Sequence, residues 1–111
     1  MPIYITQGRY TREAIKGMIA KPEDRADAVG RIMAKAGGRL IAYYVTFGDY
    51  DFMCIGEMPS ETQMAAVLLA TGSGGGVTNL RTTLALTSVE AKGAFAAAGD
   101  LAPGFKSAGG T

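Results

Sequence analysis

Two strongly apolar runs at residues 39–47 and 51–58, joined by Gly48-Asp49-Tyr50, constrain the fold more than any other feature of the sequence. Both runs are rich in the β-branched and aromatic residues that favour strands. The residues between them favour a tight reversal of the chain. The pattern predicts a β-hairpin.

This hairpin does not show the alternation of apolar and polar residues that is typical of a sheet with one wet face. Regular alternation along its first strand places apolar side chains on both faces, with Leu40, Ala42 and Tyr44 opposite Ile41, Tyr43, Val45 and Phe47. Helices can cover only one face, so we expect a second copy of the chain on the other. Burying about 600 Å² there at roughly 25 cal/mol per Å² gives about 15 kcal/mol, against association costs of at least about 4 kcal/mol.

The segment before the hairpin predicts one strand and a broken helix. Residues 2–10 form the strand, and Thr11 caps a helical run with apolar residues at helical spacing. The run breaks at Lys21-Pro22, because proline disfavours helix at the residue before it. A second helical piece is predicted for residues 22–36.

The segment after the hairpin supplies the remaining elements. Ser60 is predicted to cap a helix that ends at glycines 74–76, and residues 77–86 form a fourth strand. The order β-α-β-β-α-β predicts an α+β, ferredoxin-like fold with a four-stranded antiparallel sheet and helices on one face. A last helix is predicted for residues 88–98.

The composition divides the chain into a domain and a tail. Residues 1–98 carry the periodic patterns, whereas residues 99–111 are rich in Gly and Ala, and their only bulky apolar side chains are Leu101 and Phe105. We predict one domain over residues 1–98 and a tail that is mobile or docks on a neighbouring subunit.

Charge and residue usage exclude several classes of function. The formal net charge is +1, without a cluster of Lys and Arg, so neither nucleic acid nor membrane is an expected partner. The sequence contains no histidine, and its single cysteine, Cys54, lies in an apolar run typical of a buried position. We therefore expect no metal and no cofactor. The opening residues lack the basic start of a signal peptide, which favours a cytoplasmic protein.

The hairpin turn also carries a family resemblance. The sequence Phe-Gly-Asp-Tyr-Asp at residues 47–51, together with Pro-Ile-Tyr-Ile at 2–5, Gly-Arg-Tyr-Thr at 8–11 and Arg-Thr-Thr at 81–83, resembles the GYD domain family over residues 2–92. The resemblance implies a ferredoxin-like fold related to dimeric α+β barrels. It implies no particular activity, so no catalytic residue is transferred from it.

Six side chains are candidates for ligand binding: Arg81, Asp49, Tyr50, Asp51, Tyr4 and Asn79. Asp49 and Asp51 place two carboxylates at the predicted mouth of the barrel, where burial would convert one of them into a base. The same residues also suit a structural turn, since Gly accepts positive φ and Asp bonds back to turn amides.

Arg81 is a fixed positive charge on the last strand, predicted to share its face with Asn79 and to contact a carboxylate or enolate between the sheets. Pairing with Glu57, or simple exposure to solvent, is the alternative. Tyrosine hydroxyls, including that of Tyr4, are predicted to enter the same space or to pack at the interface.

Three functions are consistent with these residues. The first is an oligomeric module that binds a small organic molecule between its sheets. The second is a cofactor-independent α+β barrel enzyme, an isomerase or a monooxygenase-like protein, using Arg81, the tyrosines or Asp51. The third is a self-assembling structural protein. The start at Pro2 also resembles tautomerases that use an N-terminal proline as base, although the hairpin and broken helix fit the GYD pattern better.

Overall fold

Four strands and four helices follow one another in the computed structural model, which describes residues 1–110. The strands form one antiparallel sheet with the order β2-β3-β1-β4, which confirms the predicted α+β class and four-stranded sheet. The elements are β1 (Ile3–Tyr10), α1 (Arg12–Ala20), α2 (Arg25–Lys35), β2 (Arg39–Val45), β3 (Phe52–Glu57), α3 (Glu61–Ser73), β4 (Val77–Ala85), α4 (Ser88–Leu101) and a 3₁₀ turn at Ala102–Gly104.

Side-chain caps begin the helices at or near the predicted places. The Thr11 hydroxyl accepts a hydrogen bond from the Ala14 amide, and Ser60 caps α3 in the same way. The predicted break after α1 is present. The second piece begins at Arg25 rather than at residue 22, because the Asp24 side chain caps it.

The last helix is longer than predicted. It continues three residues beyond Ala98 to Leu101, and the 3₁₀ turn follows directly. The predicted boundary between residues 98 and 99 therefore falls inside a helix. Thr111, the last residue of the predicted tail, lies outside the described residues.

The two central strands give the sheet one helix-covered face and one open face. Thr6 of β1 lies opposite Cys54 of β3, and both are buried beneath the helices. Ile5 lies opposite Ile55, and both are only partly buried on the open face. None of the helices within residues 1–110 has the length and hydropathy of a membrane span.

A β-bulge in β2 changes the predicted faces of the hairpin. Leu40 pairs with Gly56 and Ala42 with Ile55, so Ile41 is the extra residue. As a result Leu40, Tyr43 and Val45 share the helix-covered face, whereas Ala42 and Tyr44 lie on the open one. The predicted grouping of Leu40 with Ala42 and Tyr44 is wrong, because one extra residue exchanges the faces of every residue after it. Both faces remain apolar.

The core lies between the sheet and helices α2 and α3. Six buried hydrophobic residues form it: Tyr4, Met33, Cys54, Met58, Met64 and Val67. Close packing requires glycine at position 8, where a Cβ would lie 2.7 Å from both Leu80 Cδ2 and the Phe52 ring. Helix α1 contributes no buried residue, so the helical layer is incomplete on that side.

Candidate functional site

A cavity of about 270 Å³ lies between the sheet and helices α2 and α3, and we call it the inner cavity. Helix α1 contributes no residue to its lining. Most of its wall is apolar, contributed by Val29, Met33, Phe52, Val67, Leu68 and Leu80.

The polar side chains of Thr6 and Cys54 lie in the floor of the inner cavity, and both are uncharged. The hydroxyl oxygens of Thr6 and Thr82 lie 2.9 Å apart and share a hydrogen bond between β1 and β4. Burial raises the pKa of the Cys54 thiol to about 11, so the thiol is protonated near neutral pH. The floor is therefore neutral.

Tyr43 lines the inner cavity, and its hydroxyl is hydrogen-bonded to that of Tyr10. The hydroxyl oxygens of Tyr10 and Tyr43 lie 2.5 Å apart, and both rings pack against Phe52 at centroid distances of 5.2 and 5.7 Å. Burial raises the pKa of both phenols, so both are protonated near neutral pH. One hydroxyl donates to the other, which leaves one proton of the pair for another acceptor.

Arg25 lines a concavity together with both tyrosines of this pair. It is the first residue of α2 and lines the inner cavity together with Tyr43. Its charge opposes the rise in the pKa of Tyr10 and of Tyr43. Its one ion pair among residues 1–110 joins Nη1 to Glu23 Oε2 at 3.4 Å, on a half-exposed carboxylate. Arg25 is therefore only weakly neutralised.

Two further concavities meet at Arg25. One lies under α1 and is also lined by Tyr10. The other runs between α1 and the end of β2, also borders Tyr43, and includes Asp51. Arg25, Tyr10 and Tyr43 therefore form one polar cluster at the edge of an otherwise apolar space.

The Gly48-Asp49-Tyr50 turn is held by its own backbone and by β1. Asp51 Oδ2 accepts a hydrogen bond from the Tyr10 amide at 3.0 Å and lies 3.9 Å from Arg9 Nε. The carbonyl of Asp49 accepts from Arg9 Nη1, and that of Tyr50 accepts from the Thr46 hydroxyl. These contacts match the structural interpretation of the motif.

The family model of the GYD domain matches residues 4–95. The chain belongs to the GYD domain family. Its fold is similar to the crystal structure of TTHA0845 from Thermus thermophilus, with a TM-score of 0.52 and 19% identity over 79% of this chain and 96% of that one. No curated protein sequence matches this GYD protein.

Two other solved structures are similar over comparable lengths. FFRP-DM1 has a TM-score of 0.49 and 15% identity, covering 78% of the GYD chain and 100% of its own. A hypothetical protein, PHS023 from Pyrococcus horikoshii, has a TM-score of 0.48 and 15% identity, covering 79% and 93%.

The six predicted site residues of the GYD protein do not form one site. Asp49, Tyr50 and Asp51 share the hairpin turn, and the other three lie on β1 and β4. Tyr4 lies in the core under the helices, where its hydroxyl has no hydrogen-bond partner among the described residues. It therefore does not face the space beyond the open face, because even-numbered residues of β1 point toward the helices. Asp51 alone of the six borders a concavity beside Arg25.

Arg81 and Asn79 lie on β4, away from the polar cluster. Arg81 is exposed on the open face opposite Gln7. Asn79 has a φ of 53° at a bulge, so it serves the geometry of the strand. The predicted pairing of Glu57 with Arg81 is wrong. Glu57 Oε1 lies 2.9 Å from Arg39 Nη2 instead, and Arg39 is on β2, at the opposite edge of the sheet from β4.

Sequence reasoning missed Arg25. The signal available was its position just after the Pro22 break, at the start of a helix that points back over the sheet. Tyr10 and Tyr43 were recognised only as members of a set of tyrosines. Within residues 1–110, no three His, Cys, Asp or Glu side chains cluster as a metal ion would require.

Proposed function

We propose that this GYD protein is a ligand-binding module that holds a small, mostly apolar organic acid in the inner cavity. The observation that carries the proposal is the convergence of Arg25 and Tyr43 on one apolar cavity. A guanidinium recognises a carboxylate through two parallel hydrogen bonds, and a phenol adds a neutral donor. The proposed position of the ligand is therefore under the helices, whereas the sequence favoured the space between two sheets.

The size and charge of the cavity restrict the ligand. A volume of about 270 Å³ lies at the lower end of ligand sites, which span roughly 300–1,000 Å³. The apolar wall favours a single ring or a short alkyl chain, and Arg25 favours one negative charge. The structure thus supports a monocyclic or short-chain carboxylate more than a nucleotide or a sugar phosphate.

We further propose that the domain is a ferredoxin-like unit that dimerises through its open face, in the manner of α+β barrels. The strand order and the apolar character of Ile3, Ile5, Met53 and Ile55 on that face support this. Tyr44 lies beside them and is 56% exposed. A second sheet is the simplest cover for such a surface.

The ligand proposal is tested with two pairs of probes in ligand-observed NMR: benzoate with benzyl alcohol, and hexanoate with hexanol. We expect the acids to bind more tightly than the alcohols. Arg25→Gln should weaken the acids at least fivefold, whereas Arg31→Gln, exposed on the same helix, should not. Absence of binding by all four probes contradicts the proposal.

A steric test uses two adjacent leucines of α3. Leu68 lines the inner cavity, whereas Leu69 is 75% exposed. Leu68→Trp should fill the cavity and abolish binding, and Leu69→Trp should leave it unchanged. Equal binding by the two variants would mean that the probes bind elsewhere.

The dimer proposal is tested by sedimentation velocity. Ile5→Glu introduces a charge at the centre of the open face and should weaken self-association at least tenfold. Leu69→Glu introduces the same charge on an exposed helix position and should leave the mass unchanged. A monomeric wild-type protein at micromolar concentration contradicts dimerisation.

An isomerase that enolises a keto acid is a second candidate, supported by the protonated Tyr10 and Tyr43 pair beside Arg25. The phenol whose proton is not used within the pair would donate to the carbonyl oxygen while Arg25 held the carboxylate. Asp51, at the edge of the same cluster, would accept the α-proton. Exchange of the α-protons of 2-oxobutyrate in D₂O, lost in Tyr43→Phe, would support catalysis; exchange at the buffer rate would exclude it for this substrate.

A further inference from the structure

The C-terminal segment, residues 87–110, extends from the domain as an arm with no apolar cover of its own. Of the residues in α4, only Ala91 is partly buried, and all the others are exposed. The arm carries four large apolar side chains, and their exposed fractions are 78% for Val89, 79% for Phe95, 73% for Leu101 and 77% for Phe105.

A helix with this sequence needs a partner to be stable. α4 has 14 residues, and isolated helices shorter than about 12–15 residues are marginal in water. Gly93 and Gly99 lie in its interior, and each costs roughly 1 kcal/mol relative to alanine. The capping box of Thr87 and Glu90 fixes only the first turn. Packing of the apolar side chains must supply the rest, and the domain that carries the arm does not provide it.

Besides the open face of the sheet, the molecule has an unpartnered apolar surface in the concavity between α1 and the end of β2, which we call the α1 groove. It holds about 460 Å³, and the exposed fractions of its apolar residues are 41% for Ile15, 75% for Ile19, 59% for Val45 and 97% for Phe47. No residue of α4 lines it.

The arm and the α1 groove lie at opposite ends of the sheet. α4 begins just after Ala85, which pairs with Ile3 at the start of β1. The groove lies near Val45, which pairs with Phe52 at the other end, beside the hairpin turn. The arm and the α1 groove of one chain therefore point away from each other, although both are apolar surfaces that would be covered if they packed together.

Charge complementarity strengthens the match. Glu23, Asp24 and Asp51 border the α1 groove. Glu23 pairs with Arg25 and Asp51 lies beside Arg9, so the rim keeps an excess of one carboxylate, that of Asp24. The end of the arm carries Lys106 directly after Phe105, without an acidic residue between positions 101 and 110. A phenylalanine inserted in the groove would bring the lysine to the acidic rim.

We propose that the arm packs into the α1 groove of a second copy of this chain, with Phe95, Leu101 and Phe105 as apolar anchors and Lys106 at the acidic rim. The four large side chains of one arm expose on the order of 500 Å², as much as the largest patch of a typical monomer. Reciprocal exchange covers two arms and two grooves, which reaches the roughly 1,200–2,000 Å² of a stable interface. The exchange is independent of whether the inner cavity binds a ligand.

Cross-linking between two chains tests the exchange in the full-length protein. A tagged chain carrying Glu23→Cys and an untagged chain carrying Lys106→Cys are expressed together and oxidised mildly. Both substitutions leave the apolar anchors in place, and native Cys54 is buried and does not compete. The matched control is Glu61→Cys, another exposed glutamate, at the start of α3.

Disulfide-linked tagged and untagged pairs should form at least fivefold more with Glu23→Cys than with Glu61→Cys. Adding Phe95→Asp to the Lys106→Cys chain should abolish this excess while the circular dichroism of the domain is retained. Equal yields at the two glutamates, absence of links, or Lys106→Cys chains joined only to one another would overturn the proposal.

Discussion

The hydroxyl groups of Tyr10 and Tyr43 meet at 2.5 Å although their strands are not neighbours in the sheet. β3 lies between β1 and β2, and its Phe52 packs against both tyrosine rings. The two phenols therefore join across a strand, above an apolar platform. This arrangement keeps both protonated and holds them beside Arg25.

The pair predicts a loss of stability in alkali. Because burial raises the pKa of Tyr43, the unfolded chain releases the phenolic proton above about pH 10 while the folded chain retains it. The free energy of unfolding should fall with pH by up to roughly 1.4 kcal/mol per pH unit for each such tyrosine. Urea unfolding from pH 8 to 11.5 should show a shallower fall in Tyr43→Phe than in the wild-type protein, and an equally steep fall in both would contradict this assignment.

Cys54 should react slowly in the folded protein. A pKa of about 11 in place of 9.0 lowers the thiolate fraction at pH 8, and burial blocks access to the sulfur. Two pKa units correspond to a roughly hundredfold lower fraction, so labelling by a disulfide reagent should be at least about a hundredfold slower than in 8 M urea. Labelling at the unfolded rate would contradict the buried position.

The two aspartates of the family motif should differ in their contribution to stability. Asp51→Ala removes the hydrogen bond to the Tyr10 amide and the contact with Arg9, and should lower the free energy of unfolding by about 1–2 kcal/mol. Asp49→Ala should change it by less than about 0.5 kcal/mol, because Asp49 contributes its backbone carbonyl to the turn. Equal effects in thermal and urea unfolding would contradict the structural interpretation.

Removal of the Tyr4 hydroxyl should not destabilise the domain. The oxygen is buried without a hydrogen-bond partner among residues 1–110, so Tyr4→Phe removes an uncompensated desolvation of about 1–3 kcal/mol and leaves the ring in place. We expect an unchanged or increased free energy of unfolding. Tyr43→Phe, which removes a hydroxyl with a partner, is the comparison variant, and a greater loss in Tyr4→Phe would show that the Tyr4 hydroxyl is bonded.

Local patterns accounted for most of the fold. Thr11, Ser60 and the break before α2 could be predicted because caps and proline act within a few residues. The side-chain directions in β2 could not, since nothing local in the sequence indicates that Ile41 forms a bulge. The identity of the open face therefore needed the structure, even though its apolar character did not.

The candidate site was less predictable, because it depends on how elements pack. Arg25 reaches the tyrosine pair only through the path of α2 over the sheet, and no motif surrounds it. Asp51 was recognised from the family motif, yet its neighbours in space come from β1. Arg81 lies on the open face, as the sequence predicts, and its contact with a ligand between two sheets stays a prediction.

Helix α1 packs only shallowly on the rest of the domain. The helix buries no residue, and its start is held to the loop before β4 by hydrogen bonds from Thr11 to the carbonyls of Gly75 and Gly76. Its amide protons should exchange with solvent earlier than those of α3, which carries Met64 and Val67 in the core. The helical cover of the sheet is therefore expected to open first at α1, while the part formed by α2 and α3 stays closed.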